Sequence, residues 1–425
     1  MNTALFSRKM FWGLIVLTSV NLFGALFVMR EEGVASIGGW FSKSKVEVAE
    51  RFGPLFRDNK YPSDVEWTPR SGERTKVQYT FDSEIQAKVQ GVFDRHRPDY
   101  GSAVAIDAVT GEILTMVSYT RSRTAGNLAL KGTFPAASIF KIVTAAAALD
   151  NKKLSPDSRI AYGGGNHTMY KKNVEQERGR WMRWVTLKDA FARSINTVFA
   201  KVGVNIGSER LSDYAERFKF NVKIDSDVPV ENGYAFIPNN DDWAVAEAAS
   251  GFTRKNTMSP LQGALMAAAI ANDGSMPHPY LIRSLTDAKG KVIYKGQPVA
   301  AEPVVDESTV NQMRRLMSAT ITQGTSRKSF RSIVQGARIA GLELGGKTGS
   351  LTGTAPRGKY DWFVGYGRMG GRKIAIAVVT INERVWRVRS SQVAADFFRH
   401  YFKISTARAV ASFSKKRPKY LRRGS

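Results

Sequence analysis

Cysteine is absent from all 425 residues, which excludes disulfides, thiolate zinc sites and a cysteine nucleophile but leaves the redox compartment open. Histidine is scarce. His96, His167, His278 and His400 lie far apart and form no metal-ligand spacing, so each reads as a surface or packing residue, and neither a metal nor a cofactor is expected. Acidic residues are the minority, 37 against 63 lysines and arginines, which leaves a formal net charge of +26. There are no internal repeats. What is present, 43% hydrophobic and 24% charged residues, is the balance of a globular chain long enough for one large domain or two ordinary ones.

The compartment is read from residues 10–29, an uncharged run of 20 with Arg8 and Lys9 before it and Arg30 after it. At a rise of about 1.5 Å per residue, a helix of that length covers roughly the 30 Å hydrocarbon core. The preceding positive charges, against Arg30-Glu31-Glu32 behind, place residues 1–9 in the cytoplasm and the bulk of the chain outside. Thr18, Ser19 and Asn21 dilute the run, as in a cleaved signal peptide. Its length nevertheless exceeds the usual apolar region of about 7–15 residues, and no small-x-small site closes it. An uncleaved, single-pass anchor over 10–30 in the inner membrane is therefore expected, with a periplasmic body. Two stretches, 415–423 (KKRPKYLRR) and 178–183 (RGRWMR), mix cations with aromatics as a nucleic-acid groove would. Given the anchor, a basic surface held near an anionic bilayer, at about 1 kcal/mol per nearby cation, is the simpler account, and no nucleic acid is expected.

Residues 31–76 show weak periodicity with scattered Gly, Ser, Pro and charge, and read as a stalk; 406–425 read as a basic tail. From Asp82, Ile85, Val89 and Val92/Phe93 share a helical face. SAVAIDA and ILTMVSY then flank a glycine-containing turn, a hairpin signal. The middle reads mainly as helices: 136–150, 187–204, 211–220, 260–272 and 308–323. LELGGKTGS, DWFVGYGR and KIAIAVVTI read as three late strands, and an amphipathic helix over 393–402 closes the chain. Two early strands, three late ones and a helical insert between them predict an α+β fold. It is a five-stranded antiparallel sheet flanked by helices and interrupted by an all-α lobe.

Three short motifs carry the chemistry. FPAASIFKIVTAAAAL holds Ser138 and Lys141, and Pro135 with the following alanines puts Ser138 in the first turn of a strong helix former. At i and i+3 the hydroxyl and the amine share a face. A serine is a poor nucleophile until a base takes its proton, which a lysine does once burial lowers its pKa. Two decoys, Ser42–Lys45 and Ser412–Lys415, have charged surroundings and no apolar helix. The second motif, Ser194-Ile195-Asn196, follows a Thr186/Asp189 pair that resembles a capping box. Ser and Asn compete with backbone hydrogen bonding and sit awkwardly inside a helix. The third is Lys347-Thr348-Gly349-Ser350, whose β-rich flanks favour a strand that lets a ligand approach closely. Gly341 to Thr348 also satisfies the Walker A pattern, but GSLTGTAPRGKYDW follows with no helical period, so a P-loop NTPase is the remote reading.

The ordered set Ser-x-x-Lys, Ser-x-Asn and Lys-Thr-Gly resembles the penicillin-binding transpeptidase family. YTFDSEIQ, AVAIDAVTGEILTMVS, MSPLQGALMAAAIANDG, ITQGTSR and KTGSLTG…YDWFVGY are similar to its recurring segments, over about 77–405. The resemblance implies a β-lactamase/transpeptidase-like fold and an acyl-enzyme on Ser138, with Lys141 as base. It implies that Ser194 relays a proton, Asn196 hydrogen-bonds substrate, and Lys347 supplies charge near Ser194 and the substrate carboxylate. Thr348, Gly349 and Ser350 would line the substrate, and the amides of Ser138 and Ser350 would form the oxyanion hole. The chain departs from the pattern where Ala136-Ala137 replaces a common Gly, where Ile139 takes a usual Thr position, and at Ser350. Implied partners are peptidoglycan stem peptides, β-lactams and a separate glycosyltransferase, since residues 31–76 leave no room for glycan polymerisation. A DD-transpeptidase is expected. A DD-carboxypeptidase or penicillin sensor uses the same site, whereas a β-lactamase needs an added base that the motifs do not supply.

Overall fold

The computed structural model describes residues 43–66, 74–121, 126–176, 179–180 and 182–404. The anchor at 10–30 and the tail at 406–425 lie outside these residues. No helix among the described residues is long and apolar enough to cross a membrane.

Five strands form the central sheet: β1 (Tyr100–Asp107), β2 (Ile113–Thr120), β3 (Glu343–Thr354), β4 (Arg357–Met369) and β5 (Arg372–Asn382). Their order is β3-β4-β5-β1-β2, and every neighbouring pair is antiparallel. The early hairpin joins the late strands where β5 pairs with β1, from Ile374 opposite Asp107 to Ile381 opposite Tyr100. Residues 374–379 of β5 (IAIAVV) are continuously apolar because both faces of the sheet are covered. Ala375, Ala377, Val379 and Ile381 pack with Trp362, Val364 and Val104 on one side, while Ile374, Ile376 and Val378 pack with Phe363, Ala103 and Ala105 on the other.

The first face is closed by the helix Pro260–Ala271, every residue of which is buried. Ser259 caps it by accepting from Gln262 N, and Pro260 opens its first turn. Its small residues allow close approach to the sheet. A Cβ at Gly263 would lie 3.1 Å from both Ala377 Cβ and Val364 Cγ2. The helices Ser83–His96 and Ser390–Tyr401 cover the opposite face.

Between β2 and β3 stand the expected helices, with two instructive breaks. The 136–150 segment opens as a 3-10 turn, Ala137–Phe140, before the α-helix Lys141–Asp150. The 187–204 segment splits into Leu187–Arg193 and Asn196–Ile206, because Ser194 takes a left-handed conformation (φ 58°). The awkwardness of Ser and Asn mid-helix is resolved by ending one helix and starting another. Thr186 does accept from Asp189 N at 3.1 Å, but the Asp189 carboxylate accepts from Gln323 Nε2 at 3.0 Å, so the capping box is only half made.

Two expectations are corrected. Residues 45–57 of the supposed stalk form a helix, Lys45–Arg57, with a reciprocal Ser44/Glu47 capping box. Val48, Phe52 and Phe56, spaced four apart, are fully buried in the main core, a stripe obscured by the charges between them and by Pro54. The insert is also not all-helical. Ile282–Thr286 and Val292–Lys295 join Asp64–Glu66 and Arg74–Tyr79 in a four-stranded sheet, and Arg159–Tyr162 pairs with Arg183–Thr186. These strands are too short for alternation to declare itself in sequence.

Candidate active site

The three motifs meet in one cleft of about 390 Å³ between the helical insert and β3, the open edge of the sheet. Ser138 lies on the 3-10 turn, and the turn carries Lys141 directly beneath it. Lys141 Nζ is 2.8 Å from Ser138 Oγ and 2.8 Å from Asn196 Oδ1, and it also donates to the Ser250 carbonyl. Lys141 is fully buried. Burial, and then the charge of Lys347, hold its pKa well below the usual lysine range.

Ala137, immediately before Ser138, has φ +49°. That is the left-handed region, where a side chain costs roughly 1–2 kcal/mol and glycine is at ease. The Ala-Ala noted in the sequence is thus a strained substitute for glycine. The strain is locked by Gly251 (φ +66°), where a Cβ would sit 1.9 Å from the Ala137 carbonyl oxygen.

Ser194 and Asn196 flank the break between two helices, and this turns both side chains towards the lysines. Asn196 Nδ2 donates to the His167 carbonyl at 3.0 Å, and its backbone N–H donates to the Asn166 carbonyl at 2.8 Å. Lys347 Nζ lies 2.9 Å from Ser194 Oγ and donates to the Thr348 carbonyl at 2.7 Å. It too is fully buried, and burial brings its pKa down from 10.5 to about 7. Each lysine rests over a phenylalanine of the broken helix pair: Lys141 Nζ is 5.7 Å from the Phe199 ring and Lys347 Nζ 5.5 Å from the Phe191 ring.

β3 lies close to the turn that carries Ser138. A Cβ at Gly349 would be 3.2 Å from the backbone nitrogens of Ser138 and Ile139, so glycine is needed there for spacing rather than for φ. Thr348 and Ser350 line the cleft, and Thr348 Oγ1 is hydrogen-bonded to Thr325 Oγ1. The Walker-like string Gly341–Thr348 runs into this strand with no helix after Thr348, which removes the P-loop reading. The decoy serine Ser412 lies outside the described residues, as does Ser42.

Several lining groups were not singled out from sequence. Thr325 and Asp361 lie within the resemblance segments ITQGTSR and YDWFVGY, a signal that was available. His167 and the Ser250 carbonyl had none, since a lone histidine and a backbone oxygen carry no pattern. Asp361 is a carboxylate the motifs did not reveal. Burial raises its pKa to about 6, but it accepts from Ser390 N at 2.7 Å and faces Arg389 at 3.5 Å, so it is committed to the start of the C-terminal helix.

The sequence model of the penicillin-binding protein transpeptidase domain matches residues 101–403. The chain is 27% identical over 310 residues to stage V sporulation protein D of Bacillus subtilis, covering 66% of this chain and 45% of that protein. It is 29% identical over 319 residues to peptidoglycan D,D-transpeptidase PbpA of Mycolicibacterium smegmatis, covering 66% of this chain and 62% of that protein. The chain thus spans about half the length of one curated relative and under two thirds of the other. Among solved structures, the D,D-transpeptidase domain of a peptidoglycan glycosyltransferase from Eggerthella lenta is similar at TM-score 0.64 and 26% identity, covering 77% of this chain and 83% of that one.

Proposed function

The chain belongs to the penicillin-binding protein transpeptidase family, and from that premise we propose that it is a peptidoglycan DD-transpeptidase acting through a Ser138 acyl-enzyme. The observation that carries this reading is the fully buried Lys141 amine 2.8 Å from Ser138 Oγ. A neutral amine has two N–H donors and one lone pair. Asn196 Oδ1 and the Ser250 carbonyl take the two donors, which leaves the lone pair for the Ser138 hydroxyl proton.

Ser138 Oγ then adds to the carbonyl between two D-alanines while Lys141 accepts its proton. The amides of Ser138 and Ser350 hold the oxyanion, an interaction worth about 3–4 kcal/mol of barrier for a single donor. As the tetrahedral adduct collapses, the C–N bond breaks and Ser194 passes a proton to the departing amine, drawing on Lys347. Thr348 and Ser350 hold the terminal carboxylate, beside the positive charge of Lys347. An acceptor amine repeats these steps in reverse and releases Ser138. Asn196 is held by Lys141 and the His167 carbonyl, so it positions the base as well as meeting substrate.

Asp361 bears on the choice between amine and water. Its carboxylate is engaged by the Ser390 N–H and Arg389, so it is not offered to a hydrolytic water, which favours transfer over hydrolysis. The reading includes an anchor at 10–30, an extracytoplasmic catalytic unit over 77–405 and attraction of the basic tail to anionic lipid. Fluorescent penicillin should label the protein covalently, with the adduct on Ser138 by mass spectrometry. A pentapeptide donor with an amine acceptor should yield D-alanine and a cross-linked dimer. D-alanine without cross-linked product across several acceptors would make it a carboxypeptidase, and rapid penicillin turnover a β-lactamase.

A further inference from the structure

A second cavity, of about 570 Å³, opens on the helical insert away from the three motifs. Its apolar floor is Trp243 with Val174 and Val204, which pack on the small buried cluster Met169, Ala200 and Ala246. Three carboxylates (Glu175, Asp241, Asp242) and two ammonium groups (Lys171, Lys201) line it with two amides, Asn205 and Asn240. In a chain of net charge +26 this lining is net negative, which argues against an anionic ligand. Some of these groups are committed: Asp241 caps the following helix, Lys201 donates to the Gln176 carbonyl, and Lys171 faces Glu175 at 3.8 Å. The side chains of Asn205, Asn240, Asp242 and Trp243 make no hydrogen bond among the described residues. A half-buried indole ringed by free amide and carboxylate groups suits a neutral ligand rich in hydroxyl and amide groups.

The position of the cavity narrows the ligand further. The helix Asn196–Ile206 begins at the reactive cleft and carries Lys201, Val204 and Asn205 on its second half. From Asn196 to Asn205 it spans about 13 Å at 1.5 Å per residue. The segment after His167, a cleft-lining residue, continues to Lys171 and Val174 in the second cavity. Four extended residues, the part of a pentapeptide stem between its sugar and the scissile bond, span about 13–14 Å.

We infer that this cavity is a saccharide subsite that binds an N-acetylated hexosamine of the donor glycan, stacked on Trp243, while its stem peptide reaches Ser138. The inference rests on the transpeptidase reading above. The test compares D-alanine release by the full chain from a free pentapeptide and from the same peptide carried on an N-acetylated disaccharide. The disaccharide should raise kcat/KM about tenfold, and Trp243→Ala or Asn205→Ala should each remove most of that gain. Both variants should keep wild-type penicillin labelling and wild-type turnover of the free peptide. A peptide-free tetrasaccharide of the same sugars should inhibit release from the disaccharide substrate and spare the free peptide. The exposed Asn205 serves if Trp243→Ala fails to fold. Release from both substrates with no saccharide preference, or equal losses on both in the variants, overturns the subsite alone. No release from either substrate would instead remove the transpeptidase reading.

Discussion

Two serines in this cleft each face a buried lysine, and the two pairs are built in opposite ways. Ser138 and Lys141 are three residues apart on one turn, whereas Ser194 and Lys347 are 153 residues apart. The near pair is fixed by helical geometry, so it travels as a unit however the insert moves. The distant pair holds only if Ser194 keeps its left-handed backbone and β3 keeps its register opposite β4, Lys347 facing Val364. A slip of one residue would turn Lys347 to the other face of the sheet. The near pair should therefore be chemically indispensable and structurally robust, and the distant pair more sensitive to packing.

The largest effect should come from the near pair itself. Ser138→Ala is expected to abolish penicillin labelling, and Lys141→Ala to slow acylation by at least the 10²–10⁴ typical of a lost general base. Labelling rates by stopped-flow or gel fluorescence decide it, and an acylation rate unchanged in Lys141→Ala would reassign the base.

Gly251→Ala tests how robust the near pair is. The new Cβ would meet the Ala137 carbonyl at 1.9 Å, and neither backbone can yield without moving Ser138. Acylation should fall about 100-fold with a lower melting temperature, since a 1 Å displacement of reacting groups costs about that much. Wild-type values for both would show that the turn is looser than its geometry implies.

Lys347→Met should sharpen the contrast by separating stability from activity. Folded Lys347 titrates at about 7 against an ordinary 10.5, so the unfolded chain binds the proton more strongly and stability rises with pH between those values. Removing the buried amine should stabilise the protein at pH 7 by about 1–3 kcal/mol, as replacing buried charge with a well-packed apolar chain often does. The same change should lower kcat/KM for peptide substrate. Wild-type kcat/KM should fall as pH rises through about 7 and Lys347 of the free enzyme loses its charge, whereas the corresponding limb in kcat should lie higher because the bound carboxylate favours the charged lysine. A profile flat to pH 9 would show that the charge of Lys347 is dispensable.

The smallest effect is expected at Ala137→Gly. Relief of the left-handed alanine should add up to about 1 kcal/mol, partly offset by the greater freedom of glycine when unfolded. Chemical denaturation would detect it, and a loss of stability would mean that the alanine methyl packs usefully despite its backbone.

Legibility followed the range of the interactions. Four central strands and most of the helices could be read from their apolar runs, and the fifth strand, Glu343–Thr354, from its glycines and β-rich flanks. Val48, Phe52 and Phe56 were missed because charges and a proline interrupt a short stripe, and the four-stranded sheet because its pieces are three to six residues long. In the cleft, all eight expected residues come together, since Lys141 and Lys347 lie directly behind the lining formed by the other six, each hydrogen-bonded to a lining serine. His167, Ser250 and the engaged state of Asp361 were not visible.

By itself the sequence determined that Ser138 and Lys141 meet, because two side chains at i and i+3 on a buried apolar turn have little choice but to do so. It also determined the sheet, because continuous β-branched runs can be satisfied only by cover on both faces. Only the tertiary structure decided which lysine serves which serine, that Asn196 holds Lys141, and that Asp361 is committed to the C-terminal helix. Those outcomes depend on desolvation and on contacts between segments distant in the chain, and a lysine's pKa is set by what finally surrounds it.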